Sequence, residues 1–100
     1  MRTLVIINAN AADGRAEAVF KTIEGRMAKV MGELTVAVSN EPEEVAGYLD
    51  RAAGAGVDRI IAVGGDGTNN SVVNALAGRP DLSVILGNFP VGTGTDWARA

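Results

Sequence analysis

With 100 residues and 47% apolar side chains, the chain is long enough for one small core and too apolar for a disordered tail. Nine basic residues against twelve acidic ones leave a net charge of −3, which argues against a free-standing nucleic-acid surface or an anionic-membrane surface. The absence of cysteine excludes disulfides and thiolate metal sites, and the absence of histidine leaves carboxylates, lysine or tyrosine as candidate general bases.

The segment "RTLVIIN" (2–8) is a near-continuous apolar run rich in β-branched residues, the pattern of a strand buried on both faces. It reads better as a first strand than as a signal peptide, and no apolar run approaches a membrane span of about 20 residues. A soluble cytoplasmic protein is the expectation. "NANAADGR" (8–15) has loop chemistry. From Ala16 the period becomes helical, with Val19, Phe20, Ile23 and Met27 on one face and Gly32 at the expected C-terminal stop. "ELTVAVS" (33–39) is a second strand.

Residues 40–56 predict a second helix. Pro42 and nearby acids suit its first turn, Val45, Leu49, Ala52 and Ala53 form its buried stripe, and Gly54 or Gly56 ends it. "DRIIAV" (58–63) is the third strand, and a short helix over 69–78 carries Val72, Val73 and Leu76 before Gly78 and Pro80 stop it. "LSVILG" (82–87) is the fourth strand, followed by a Gly-rich loop, "NFPVGTGTD" (88–96).

This alternation predicts an α/β fold: a three-layer, doubly wound parallel sheet of order 2-1-3-4 with right-handed crossovers. The first helix covers one face, and the second and third cover the other. The topological switch then falls between the first and third strands, and ligands bind at the carboxyl ends of strands beside such a switch. The loops that start at Asn8 and Gly64 both lie there. The sequence stops at "DWARA", just after an apparent helix start at Asp96, so a fragment of a longer protein is expected.

Between the third strand and the next helix stands "VGGDGTNN" (63–70). Gly64, Gly65 and Gly67 permit positive φ and place no Cβ in the way of a ligand. Their amides, with those of the helix N-terminus, can converge on an anion. Thr68 and Asn69 or Asn70 can cap the helix or donate to a phosphate oxygen. For Asp66 two readings stand side by side: a Mg²⁺ between the carboxylate and a phosphate, or a carboxylate that orders the turn. The loop lacks the Gly-Lys-Ser/Thr ending of a Walker A sequence, and Asn70 stands where G-x-G-x-x-G needs its last glycine. In the second loop Gly92 and Gly94 flank Thr93. Asp96 reads first as a helix N-cap and Trp97 as core packing.

The pair "GGDGT" and "P-x-G-T-x-x-D-x-A-R" resembles the diacylglycerol kinase catalytic domain, particularly bacterial lipid kinases, with sphingosine and ceramide kinases as relatives. The resemblance runs through all 100 residues. The first motif is shared with NAD kinases and, in variant form, with phosphofructokinases, and the second loop sets this chain apart from them. The resemblance implies a nucleotide-binding N-terminal domain of the NAD kinase/phosphofructokinase type, residues 1–100, and ATP-dependent phosphorylation of a lipid hydroxyl such as that of diacylglycerol. It implies contact with the ATP phosphates by Gly65, Asp66, Gly67, Thr68, Asn69, Asn70 and Ser71, with Gly64 opening the turn. Ser39, Asn8, Gly92 and Thr93 would border the nucleotide, and Mg²⁺ would arrive with it beside Asp66. The general base, lipid pocket and a structural metal site would belong to a β-rich domain absent from this sequence, so these residues alone are expected to bind nucleotide weakly without turnover. Peripheral membrane contact and a homodimer are compatible with the complete protein, and no nucleic-acid partner is expected. The chain departs from the family at Ser71 (usually Glu), Thr95 (usually Asn), Ala9 (usually Pro) and Ala12 (usually Gly). An NAD kinase-like small-molecule kinase and a non-catalytic nucleotide-binding module are the rival readings.

Overall fold

In the computed structural model, β1 (Arg2–Asn8), β2 (Glu33–Ser39), β3 (Arg59–Gly64) and β4 (Ile85–Pro90) form one wholly parallel sheet in the order β2-β1-β3-β4. The structure describes residues 2–41 and 43–90, with residues 12, 13, 66 and 90 described by their backbone alone. The connecting helices are α1 (Ala11–Gly14), α2 (Ala16–Met31), α3 (Glu44–Ala55) and α4 (Asp66–Ala77).

The continuous apolar runs of β1 and β3 follow from burial on both faces. Alternate residues serve two cores. Leu4, Ile6, Ile60 and Ala62 pack with Val45, Leu49 and Ala52 of α3 and Val72 of α4. Val5, Ile7, Ile61 and Val63 pack on the other face with Ala16 and Phe20 of α2. The expected strand order and distribution of helices over the two faces are therefore observed. At the foot of the sheet Arg59 donates from Nε to Thr3 Oγ1 (3.1 Å) and from Nη2 to Met31 O (3.2 Å), tying α2 to β1 and β3. No buried side-chain N or O among the described residues lacks a hydrogen-bond partner, and none of their helices is long and apolar enough to cross a membrane.

Several boundaries differ from expectation, each for a local reason. The 8–15 segment is not all loop. Asn8 Oδ1 accepts the Asn10 N–H (2.9 Å), turning the chain into the single turn α1, which ends at Gly14 with φ 84°. α3 starts at Glu44 rather than Asn40, with Glu43 as its N-cap, because Glu44 Oε1 accepts the amides of Asn40 (2.8 Å) and Glu41 (2.9 Å) and holds residues 40–41 in the turn that precedes the helix. Pro42 lies outside the described residues. In α3, Ala52 is buried and Ala53 exposed. The fourth strand runs over 85–90, three residues beyond the expected span. Its register with β3 sets this: Arg59 opposes Ile85, and Ile85 N–H donates to Asp58 O (3.0 Å).

Arg79 fastens the turn before β4. Its guanidinium holds Asp81 by a two-pronged contact, 3.0 Å at each prong, and also pairs with Asp50 of α3. The Arg79 hydrogen bond holds the Asp81 carboxyl below its ordinary value. A lowered folded-state pKa contributes stability above the unfolded carboxyl value and loses it as pH falls through the folded one. Arg79→Ala is therefore expected to lower the urea midpoint near pH 7, with the gap to wild type closing as pH drops below the Asp81 folded value. A gap that stays constant with pH would refute this contribution. Phe20→Ala should cost about 3–5 kcal/mol in the same denaturation experiment, because the ring is wholly buried between α2 and the sheet.

Candidate functional site

The carboxyl ends of β1, β2 and β3 meet the N-terminus of α4, and the sequence dictates how. β3 ends at Gly64, whose φ of 156° and bare α-carbon let the next turn fold tightly back. A Cβ there would lie 2.3 Å from Thr68 Oγ1 and 2.9 Å from Thr68 Cβ. Thr68 is buried against this backbone, and its Oγ1 accepts the Asn8 Nδ2–H (3.0 Å). One glycine, one hydroxyl and one amide thus lock the first turn of α4 over the end of β1.

α4 begins at Asp66, three residues earlier than expected, so Asp66, Gly67 and Thr68 belong to the helix and not to the loop. The expectation of positive φ holds at Gly64 but not at Gly65 (φ −95°) or Gly67. Gly65 is the N-cap, and no side chain caps the helix. Thr68 does not serve as a cap because it is the third residue of α4, inside the helix that Gly65 caps. Asn69 N–H donates to Gly65 O (3.2 Å) as the first intrahelical bond, leaving the amides of Asp66, Gly67 and Thr68 without a helical acceptor. These amides and the helix dipole favour an anion at this end. A Cβ built at Gly65 or Gly67 would meet no atom within 4 Å, so the space above the turn is open.

The adjoining loops are stitched together. Ala9 N–H donates to Ser39 O (2.9 Å), and Asn10 Nδ2 donates to Asn40 O (3.3 Å). Ser39 Oγ donates to Glu41 O (2.7 Å). Between these loops and α4 lies a cleft of about 260 Å³. Of the expected site residues, Asn8, Ser39, Thr68 and Ser71 line it, while Gly64, Gly65 and Gly67 form the turn beside it. Asn69 is half-buried and Asn70 exposed on the second turn of α4, and neither is among the cleft-lining residues. The Ser71 hydroxyl donates to Gly67 O (3.0 Å). The Asp66 side chain, Gly92, Thr93, Thr95, Asp96 and Trp97 lie outside the described residues.

Asn10, Asn40 and Glu41 also line the cleft and were missed from sequence. Their signal was positional: each lies within two residues of the end of β1 or β2, the strands whose carboxyl ends border the cleft. Among the described residues that line it there is no lysine or arginine. Tyr48, a base type that the composition allows, stands apart on α3. Burial, and then the nearby Glu44 carboxylate, raise its pKa above the ordinary value, and its hydroxyl donates to Val38 O (2.8 Å).

The diacylglycerol kinase catalytic domain pattern matches residues 2–100. The chain belongs to that family. A protein from Pectobacterium atrosepticum named "Probable lipid kinase YegS-like" is 37% identical over 99 residues, covering 96% of this chain and 31% of its own length. A protein of the same name from Serratia proteamaculans is 44% identical over 68 residues, covering 67% of this chain and 22% of its own. A solved diacylglycerol kinase structure from Bacillus anthracis superposes with a TM-score of 0.75 at 30% identity, covering 98% of this chain and 35% of that one. The chain thus spans about a third of the length of the relatives it matches throughout.

Gly64→Ala is expected to cost about 1–3 kcal/mol through overpacking against Thr68. Gly67→Ala, facing open space within a helix, is expected to add up to about 1 kcal/mol. Opposite shifts of the urea midpoint would bear this out, and equal shifts would refute it.

Proposed function

We propose that the chain is the nucleotide-binding domain of a lipid kinase, residues 1–100, and that the complete protein transfers the γ-phosphate of ATP to a lipid hydroxyl such as that of diacylglycerol. The carrying observation is the uncapped α4 N-terminus opening beside the cleft at the β1–β3 switch, in a member of the diacylglycerol kinase family.

The residues fit a polyphosphate. The open space at Gly65 and Gly67 admits one, and the amides of residues 66–68 would donate to its oxygens. Asn8 would act through Thr68, fixing the direction of those amides, and the Ser39 and Ser71 hydroxyls would border the nucleotide. Asn69, Asn70, Gly92 and Thr93 complete the proposed contacts from the family pattern. When bound, ATP supplies an activated phosphoryl group and Mg²⁺ neutralises charge developing on its oxygens. The described residues include no group of three or more acids that could hold a metal. A Mg²⁺ carried by the nucleotide would have Asp66 as its protein carboxylate. The base that takes the proton from the lipid hydroxyl is assigned to a further domain.

Ser71 favours a second reading, a nucleotide-binding module without catalysis, since its hydroxyl is turned back to Gly67 O. The two readings separate in assay. Calorimetry should find weak, Mg²⁺-dependent ATP binding to these 100 residues, reduced at least tenfold in Asp66→Ala and also weakened in Gly67→Ala despite its added stability. Unchanged affinity in Asp66→Ala would leave that carboxylate as a turn-former. The complete protein should phosphorylate diacylglycerol in preference to NAD. Absence of turnover with either would favour the non-catalytic module, and lipid phosphorylation at a normal rate by these 100 residues would overturn the division of labour.

A further inference from the structure

The cleft carries a carboxylate whose presence a phosphate site does not explain. Glu41 stands two residues past the end of β2, is exposed and lines the cleft, and no lysine or arginine is among the described residues that line it. Its neighbours are mostly committed elsewhere. Asn8 holds Thr68, Ser39 Oγ donates to the Glu41 carbonyl, and Asn10 Nδ2 donates to Asn40 O. Glu44 is occupied in the turn before α3, its Oε1 accepting the amides of Asn40 and Glu41.

A carboxylate repels phosphate and accepts hydrogen bonds from hydroxyls, so the two ends of the cleft differ in preference. The anion-favouring end is the α4 N-terminus, which follows β3. The hydroxyl-favouring end is Glu41, which follows β2. β1 lies between these strands, so the ends stand two strand spacings apart, on the order of 10 Å. A nucleotide spans that distance between sugar and terminal phosphate, whereas a lone phosphate does not. In other doubly wound sheets an acid at the end of a strand near the switch takes the ribose hydroxyls of a dinucleotide, and the same physical demand applies here.

We infer that Glu41 is the specificity-determining carboxylate that accepts hydrogen bonds from the ribose diol of the nucleotide. This rests on the nucleotide-site reading above. The ligand class follows: ribonucleotides with free 2′ and 3′ hydroxyls bind in preference to dideoxynucleotides. The β2 end adds nothing to the binding of a bare polyphosphate.

Calorimetry with ATP, 2′,3′-dideoxy-ATP and inorganic tripolyphosphate, each with Mg²⁺, tests it on the wild type, Glu41→Gln and Glu41→Ala. The wild type should prefer ATP over the dideoxy analogue by about tenfold or more, the worth of hydrogen bonds to a charged group. The preference should shrink in Glu41→Gln and vanish in Glu41→Ala, while tripolyphosphate affinity stays level or rises. An undiminished preference in Glu41→Ala would overturn the assignment, as would an equal loss of affinity for all three ligands. Should the wild type bind neither ATP nor tripolyphosphate, the nucleotide-site reading fails first, which separates the two failures.

Discussion

The close approach of Thr68 to the bare α-carbon of Gly64 governs the ligand end of the molecule. A side chain at position 64 would sit inside the van der Waals radius of the Thr68 hydroxyl, so only glycine lets α4 start where it does. Once Thr68 is seated, its oxygen reaches Asn8, and a helix from the middle of the chain becomes fixed to the first strand. The cleft wall formed by α4 and the direction of its exposed amides descend from that contact. An Asn–Thr hydrogen bond of ordinary length contributes about 1 kcal/mol at most sites. Here its geometric effect exceeds its energetic one, because it sets the direction of a helix end.

The fold was legible where burial is strongest. β1 and β3 are covered on both faces, so their composition alone marks them as central parallel strands. Strand order and helix placement followed from connection rules that leave few arrangements open. α2 was equally plain, bounded by Ala16 and by Gly32 with its positive φ. Legibility failed where a boundary depends on a remote partner. The fourth strand is placed by its register against β3, and Asn88 and Pro90 hid its last three residues by looking like loop residues. α1 exists because one asparagine oxygen accepts an amide two residues on, a contact that periodicity does not report.

The site shows the same division. Asn8 and Thr68 could be named because they stand in the loops at the β1–β3 switch, and Ser39 through the family resemblance. That Asn8 and Thr68 bind each other was invisible, since sixty residues separate them. Asn10, Asn40 and Glu41 escaped notice for a related reason: the cleft they line exists only because β2 lies beside β1. The described residues that line the cleft are polar without being basic, and the attraction they offer an anion comes from backbone groups. A chain of net charge −3 can thus carry an anion site that no count of lysines and arginines would reveal.

The all-parallel ladder also has a temporal side. Parallel strands cannot join through a tight hairpin, and each pairing here waits for an intervening helix. Thr3 and Arg59, neighbours across the β1–β3 ladder, are more than half the chain apart in sequence. Such non-local pairings form slowly, because the loop must close before contacts reward it. The cleft needs both ladders of β1 as well as the first turn of α4, so it comes into existence only after the central sheet is complete. A ribosome delivering this chain releases the N-terminal strand first, yet that strand stays without either neighbour until far more of the polypeptide has emerged.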